Sequence, residues 1–251
     1  MQRYTAVIEY DGTDYCGFQK QVDSQPTVQG SIEKALANIF QQPITITGAG
    51  RTDSGVHALG QVISFEAEWK HPETALQNAI NANLPDDIVV LQLKKVASSF
   101  HPRFSAKSRA YEYYIYNAPV RSPIRREQSW HVQRPLDLEQ MNKAAELLLG
   151  EHDFSTFGVP PVGDNHVRQV FEAQWQRQQD MLVFFIEANA FLYRMVRSIV
   201  GSLRLVGDAT WQIKDFEDAF FACDRSRSGA TAPPDGLFLV SVKYDNFEFL
   251  D

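Results

Sequence analysis

The stretch VQGSIEKALANIF, residues 28–40, gives the clearest prediction of secondary structure near the start of the chain. Its apolar residues recur at the three- and four-residue spacing of one helical face, and these are Ile32, Leu36, Ile39 and Phe40. Thr27 is predicted to cap this helix, because its hydroxyl can accept from a free backbone N–H of the first turn. The stretch therefore predicts a capped helix with one buried side.

The segments around this helix give a recognisable order of elements. Residues 3–10, RYTAVIEY, alternate as a half-buried strand does. Downstream, the pattern predicts two strands, a helix and a strand, at 43–48, 60–66, 73–82 and 88–96. The order βαββαβ is that of the ferredoxin-like arrangement, in which two helices cover one face of a four-stranded antiparallel sheet.

The second half of the chain repeats this order. The predicted elements are a strand, a helix, two strands, a helix and a strand, at 109–116, 137–148, 168–177, 181–189, 191–206 and 237–243. Insertions separate them at 117–134 and 156–165. We therefore predict an α+β fold of two ferredoxin-like, RNA-recognition-motif-like halves, 1–106 and 107–251, with antiparallel sheets and an active-site cleft between them. The halves share no obvious sequence repeat, so the duplication follows from element order alone.

The charge of the chain is unevenly distributed. A net charge of −7 argues, over the whole chain, against a nucleic-acid ligand, since phosphate affinity comes mostly from Lys and Arg. Residues 101–126 nevertheless contain one acid, Glu112, and six basic residues, which are Arg103, Lys107, Arg109, Arg121, Arg125 and Arg126. Such a run is either a solvated edge or an RNA-facing surface.

Cysteine usage and hydropathy place the protein in the cytosol. Cys16 and Cys223 are far apart and have no metal-ligand spacing, as is ordinary in a reducing compartment. The first ten residues lack the pattern of a signal peptide. No apolar run approaches the roughly 18 residues of a membrane span. We expect a cytoplasmic protein with no membrane partner.

The densest cluster of unusual residues is GAGRTDSGVHALG, residues 48–60. A dinucleotide-binding G-x-G-x-x-G would need glycine where Asp53 stands, and a strand, QVISF, follows in place of a helix. The chain also lacks the phosphate-loop, serine-hydrolase and zinc-protease patterns. What remains is the carboxylate of Asp53 beside Arg51, which is either a turn residue or a reactive group.

The segment GRTDSGVHA, residues 50–58, closely resembles the catalytic loop of the TruA family of tRNA pseudouridine synthases. Seven further stretches resemble the same family, at 10–19, 27–33, 100–106, 109–113, 152–157, 189–201 and 232–237. The departures are small: Ser54 stands where alanine is usual and Phe238 where tyrosine is common. The resemblance spans nearly the whole chain.

This resemblance implies an activity and a set of roles. Such enzymes isomerise uridine to pseudouridine in the tRNA anticodon stem-loop, at positions 38 to 40, without metal or cofactor and as homodimers. The resemblance implies that Asp53 is the nucleophile, attacking ribose C1′ or uracil C6, and that Arg197 is its charge partner. It makes Tyr111 the residue that stacks on the target base, with a hydroxyl that can help move the C5 proton. Arg51 would fill the space left by the flipped nucleotide, and His57 is either a loop brace or an RNA contact.

Alternatives remain for several of these residues. Without the resemblance, Tyr111 is equally a cross-strand aromatic, and Arg197 a solvated arginine opposite the apolar arc of helix 191–206. Further candidate RNA contacts are Arg109, Arg121, Arg125 and Arg126. A non-catalytic RNA-binding protein and a pseudouridine synthase for another RNA are the two rival functions.

Overall fold

The computed structural model describes residues 1–21 and 25–245, and these form two compact units. Of the described residues, the first unit comprises those within Met1–Lys107 together with 239–245, and the second comprises Ser108–Phe238. Both units contain helices and strands, so the α+β prediction is confirmed. Among the described residues, no helix is long and apolar enough to cross a membrane.

The first unit follows the predicted βαββαβ order. Its elements are β1 Gln2–Tyr10, α1 Val28–Phe40, β2 Thr47–Gly48, β3 His57–Ala67, α2 Glu73–Asn81 and β4 Ile88–Lys95. With β10 Leu237–Tyr244, the sheet has the order β4-β1-β3-β10, and β2 also pairs with β3. Strand β1 runs antiparallel to both β3 and β4. Ile32 and Leu36 of α1 and Leu76 and Ile80 of α2 are buried, which makes them part of the core.

The start of α1 is as predicted, and the strand after it is shorter than predicted. The hydroxyl of Thr27 accepts from the N–H of Gly30 at 3.2 Å, which confirms the cap. The strand expected over 43–48 is reduced to Thr47–Gly48. One reason is that Pro43 has no N–H to donate. Another is that the N–H of Ile46 donates to the carboxylate of Glu33 at 3.2 Å instead of to a neighbouring strand.

The second unit repeats the predicted order only in part, because the closing strand expected at 237–243 lies from Leu239 on in the first unit, and it has additional elements. Its elements are β5 Ala106–Tyr116, β6 Trp130–His131, α3 Leu138–Glu146, β7 Gly150–Asp153, β8 Val167–Gln178, β9 Met181–Ala188, α4 Met195–Gly207 and α5 Ile213–Phe221. The sheet order is β5-β9-β8-β7, with antiparallel pairing between these neighbours. The short strand β6 pairs with β5 in parallel, which the expectation of purely antiparallel sheets did not include. Helix α3 packs against α4, α5 and β8.

Helix α4 differs from its prediction at its beginning and on its polar side. It begins at Met195 and not at 191, because Arg194 has a left-handed φ of 62° and Tyr193 donates its N–H to Val159. Its expected polar side is largely enclosed, since Ser198 and Ser202 are fully buried.

The chain segment 229–232 accounts for this enclosure. A Cβ on Gly201 would lie only 1.8 Å from the carbonyl oxygen of Ala230. The N–H of Gly229 donates to the Ser202 hydroxyl at 2.9 Å. Glycine at 201 therefore lets a second backbone cross the helix.

We expect Gly201→Ala to destabilise the protein although alanine is the better helix former. The gain in helix propensity is about 1 kcal/mol, whereas overpacking costs about 1–3 kcal/mol and the clashing atom is backbone. The thermal midpoint should fall by roughly 2–4 °C for each kcal/mol lost. Gly50→Ala is the control, because no atom lies within 4 Å of the added Cβ. If the thermal midpoint of Gly201→Ala equals or exceeds that of the wild-type protein, the segment 229–232 does not cross the helix closely at Gly201.

Candidate active site

Asp53 lies in a tight turn between β2 and β3. The N–H of Val56 donates to the Asp53 carbonyl at 3.2 Å, and Gly55 within the turn has a φ of 77°, in the region that favours glycine. The side chain of Asp53 is half-buried. Ser54, the departure from the family alanine, donates its hydroxyl to the carbonyl of Tyr15 at 3.1 Å. The turn therefore holds one carboxylate at the boundary between protein and solvent.

The segment that follows β1 clamps this turn through backbone hydrogen bonds. The N–H of Phe18 donates to the carbonyl of Thr52 at 3.1 Å, and the N–H of Gly55 donates to the carbonyl of Tyr15 at 3.3 Å. The hydroxyls of Tyr10 and Thr52 form a buried hydrogen bond of 2.8 Å. Because these bonds lie on both sides of Asp53, they fix the backbone from which its carboxylate projects.

Two glycines allow the clamping segment to approach so closely. A Cβ on Gly12 would lie 2.0 Å from the carbonyl oxygen of Val56, and one on Gly17 would lie 2.8 Å from that of Thr52. Gly17 also has a φ of 91°. Any other residue at either position would push the turn away.

His57 is 1 % exposed and braces the same segment. Its Nδ1 accepts from the N–H of Gly12 at 3.1 Å and lies 3.1 Å from a carboxylate oxygen of Asp11. A nitrogen that accepts from Gly12 carries no proton, so the Asp11 contact becomes an ion pair only when the ring is protonated. Burial raises the pKa of Asp11, but hydrogen bonds from Thr13, together with the charge and hydrogen bond of His57 when its ring is protonated, outweigh burial and lower the pKa overall. Of the two predicted roles, this geometry favours bracing, since a buried ring offers almost no surface to RNA.

Tyr111 belongs to the second unit, on β5. Its cross-strand partner is Ile186, and its ring instead meets Phe191 edge to face at 4.9 Å. Only 9 % of Tyr111 is exposed. Arg109, on the same strand, donates from its guanidinium to the Asn189 carbonyl at 2.9 Å. Tyr111 and Arg109 therefore both hold the segment that leads into α4.

Arg197 is half-buried on the first turns of α4 and binds the segment that crosses the helix. Its Nε donates to the carbonyl of Ala232 at 2.8 Å, and the N–H of Ala232 donates back to the Arg197 carbonyl at 3.0 Å. It is therefore not the freely solvated arginine of the alternative reading. The neighbouring Pro233 carbonyl accepts from the Tyr113 hydroxyl at 2.8 Å. Burial raises the pKa of Tyr113 well above its ordinary value, against the effect of Arg197 and with that of Asp235.

The other predicted substrate-binding arginines are exposed. Arg51 is exposed beside Asp53 in the first unit. Arg121, Arg125 and Arg126 are exposed in the insertion after β5. Arg126 pairs with Glu127 at 2.5 Å.

Sequence reasoning missed three residues that support these groups. Tyr10 and Thr52 fix the Asp53 turn, and Tyr113 shares an anchor segment with Arg197. Tyr113 could have been found from its spacing, because residues two apart on a strand share a face and Tyr111 was already singled out.

Among the described residues, no three His, Cys, Asp or Glu side chains form a group that could hold a metal ion. Cys16 and Cys223 are both free thiols.

Comparison with known proteins gives a consistent family. The family described as tRNA pseudouridine synthase matches residues 6–105 and 144–245. The tRNA pseudouridine synthase A of Thermoanaerobacter sp. (strain X514) is 42 % identical over 97 % of this chain and 100 % of that relative. The protein of the same description from Colwellia psychrerythraea is 45 % identical over 98 % of this chain and 95 % of that relative. A chain in a solved Cbf5-Nop10-Gar1 complex has a TM-score of 0.35 at 10 % identity, covering 80 % of this chain and 53 % of that one, which is too weak to carry an argument.

The sequence matches define an isomerase of the pseudouridine synthase class. The chain belongs to the tRNA pseudouridine synthase family.

We expect Tyr10→Phe to loosen the turn that carries Asp53. The ring is kept, but Thr52 loses a buried hydrogen bond worth about 1 kcal/mol. Amide hydrogen exchange at residues 54–56 should become faster, because the turn opens more often. Tyr244→Phe is the matched control, since its hydroxyl bonds to Pro102 and not to the turn. If both variants change exchange at 54–56 equally, the Tyr10 hydroxyl does not hold the turn.

Proposed function

We propose that this protein isomerises uridine to pseudouridine in tRNA, within the anticodon stem-loop at positions 38 to 40. The observation that carries the proposal is the backbone-clamped turn that holds Asp53 half-buried, in a chain whose relatives are named tRNA pseudouridine synthase A. The predicted homodimer and the cytoplasmic location belong to the same proposal and rest on the family resemblance and on the composition.

The reaction needs a nucleophile and little proton traffic. The N1 glycosidic bond breaks, the uracil turns in place, and its C5 bonds to the ribose. The C5 proton leaves and N1 takes up a proton, so no atom is gained or lost. A retaining glycosidase uses two carboxylates, because its leaving group must be protonated. Uracil spreads the developing negative charge over its two carbonyls, so one carboxylate suffices. We assign that role to Asp53, with attack on ribose C1′ or on uracil C6.

The turn geometry suits such a nucleophile. A carboxylate that must approach one carbon atom loses rate when it is free to move, since productive reaction geometry is narrow. The hydrogen bonds that Thr52 and Gly55 form with the segment after β1 limit the motion of the backbone that carries the carboxylate. The target atom is inaccessible in a stacked helix, so the uridine must be flipped, at a cost of a few kcal/mol. The exposed Arg51 beside Asp53 is proposed to fill the vacated space.

The proposed roles in the second unit are base stacking and charge pairing. Tyr111 is assigned to the target base, and its contact with Phe191 fixes the orientation of the ring. Arg197 is assigned to the Asp53 carboxylate, because burying an ionised carboxylate is strongly unfavourable without a cation. Its Nε is engaged with Ala232, so this assignment uses the two terminal nitrogens of the guanidinium.

A non-catalytic RNA-binding protein would need no nucleophile. The main-chain clamp around Asp53 gives no advantage to a module that only binds, whereas it serves a reacting group. Mapping modified uridines in a deletion strain would separate the anticodon stem-loop from another RNA target.

We expect Asp53→Asn to abolish pseudouridine formation and leave tRNA affinity within about twofold. The amide matches the carboxylate in size but lacks its charge and nucleophilicity. Tritium release from C5-labelled uridine in tRNA measures turnover, and equilibrium binding measures affinity. Asp86→Asn, at an exposed position, should behave as wild type. Isomerisation above background by Asp53→Asn would refute the nucleophile.

A second pair of variants separates catalysis from anchoring at Arg197. Arg197→Met should lower kcat by about a hundredfold or more, the usual effect of losing one preorganised charge partner. Tyr113→Phe removes the neighbouring bond to the same segment, at Pro233, and should lower the thermal midpoint while kcat falls by less than about fivefold. Equal losses of kcat in the two variants would make Arg197 an anchor only.

A further inference from the structure

An open pocket of about 330 Å³ lies in the second unit, where the insertion after β5 returns along β6. Its lining combines aromatic and cationic side chains, and those that matter here are Tyr116, Arg121, Arg125, Arg126, Trp130 and His131. The Asp53 turn contributes no residue to the pocket, and neither Tyr111 nor Arg197 lines it. The lining of the pocket therefore does not include the groups assigned to the reaction.

The pocket has a partly aromatic wall. Tyr116 pairs with His131 across the parallel strands β5 and β6, with ring centroids 5.8 Å apart at 37°. The guanidinium of Arg125 lies 5.3 Å from the centre of the Tyr116 ring. The His131 ring is held in place by its Nε2, which forms a hydrogen-bond contact of 2.9 Å with the carbonyl of Ala118. Such surfaces accept flat aromatic groups, and nucleic-acid bases stack on them regardless of sequence.

The pocket also carries positive charge that the protein does not neutralise. Among residues 1–21 and 25–245, neither Arg121 nor Arg125 has a carboxylate within ion-pair distance. Arg126 pairs with Glu127, but both side chains are exposed, at 73 % and 45 %, so this pair is weak. The one carboxylate in the lining is Asp235, against three guanidinium groups. This excess suits an anion, and guanidinium groups match phosphate best.

We infer that this pocket binds one unstacked nucleotide of the RNA substrate, outside the target uridine, with its base on Tyr116 and Trp130 and its phosphate at Arg121. The inference rests on the proposed function, because it takes the ligand to be RNA. The shared chemistry, a base joined to a phosphate, also describes a free nucleotide. Sites for free nucleotides usually cradle phosphate with the backbone N–H groups of a glycine-rich loop. No glycine lines this pocket, and its arginines are exposed, as suits a strand that passes through.

The first experiment measures binding without turnover. A single-stranded oligouridylate should quench the fluorescence of Trp130, defined as the signal lost in Trp130→Phe, because a stacked base lies against the indole. Uridine monophosphate at equal concentration should quench it much less, since it lacks the adjoining nucleotides of a strand. Pyrophosphate should quench it least, since it has no base. Equal quenching by uridine monophosphate would overturn the RNA assignment and make the pocket a free-nucleotide site. Absence of any quenching by the oligouridylate would overturn the pocket itself.

The second experiment uses two arginines of the same insertion. Arg121→Ala should weaken tRNA binding about tenfold, as expected for a charge-assisted phosphate contact. It should also reduce the salt slope of log affinity by about 0.7 to 0.9. Arg134→Ala is the matched control, because Arg134 is exposed but does not line the pocket, and it should change the dissociation constant by less than about twofold. Equal losses in the two variants would mean a diffuse basic surface and would overturn the inference.

A third variant tests the stacking wall. Tyr116→Leu keeps an apolar side chain but removes the ring, and should weaken oligouridylate binding about tenfold. Its far-ultraviolet circular dichroism and thermal midpoint show whether the unit is still folded. Unchanged affinity in a folded Tyr116→Leu protein would overturn the stacking role.

The outcomes of all three experiments differ from failure of the proposed function. That failure would be seen as absence of pseudouridine formation by the wild-type enzyme on tRNA.

Discussion

The backbone hydrogen bonds around Thr52 are the constraint on which the rest of the proposed site depends. The turn that carries Asp53 would otherwise be a glycine-rich loop with many accessible conformations, and ordering each residue of it costs about 1–2 kcal/mol. The N–H of Phe18 and the hydroxyl of Tyr10 bind Thr52, and the absence of a Cβ at Gly12 lets the second backbone come close enough to help. The protein thus meets the entropic cost at folding and not at each turnover.

The second unit uses the same device on a helix. Gly201 has no side chain, so the segment 229–232 can lie across α4, where Arg197 and Ser202 bind its backbone. Arg197 consequently has a fixed guanidinium although it lies on what the sequence predicted to be a polar side. In both units, a missing Cβ lets a second main chain approach the element that carries a side chain proposed to act in the reaction.

Much of the fold was predictable because apolar periodicity reports burial directly. The bounds of α1 were predicted correctly, as was its Thr27 cap, since both depend on neighbours within one turn. The beginning of α4 was not, because Leu192 and Phe191 continue the apolar pattern while the pairing of Tyr193 with Val159 interrupts the helix. Strands β6 and β7 are too short, at two and four residues, to show any period.

The sequence by itself determined the family, the α+β class and the identity of the candidate groups Asp53, Tyr111 and Arg197, because these are properties of residue type and local spacing. The tertiary structure alone decided what holds them. The contacts of Thr52 with Tyr10 and of Tyr113 with Pro233 join residues 42 and 120 positions apart, and no local pattern encodes such a pairing. The pocket beside Tyr116 emerged for the same reason: most of its wall comes from a strand and an insertion that returns to pair with it, Ile115 with Trp130 and Tyr116 with His131.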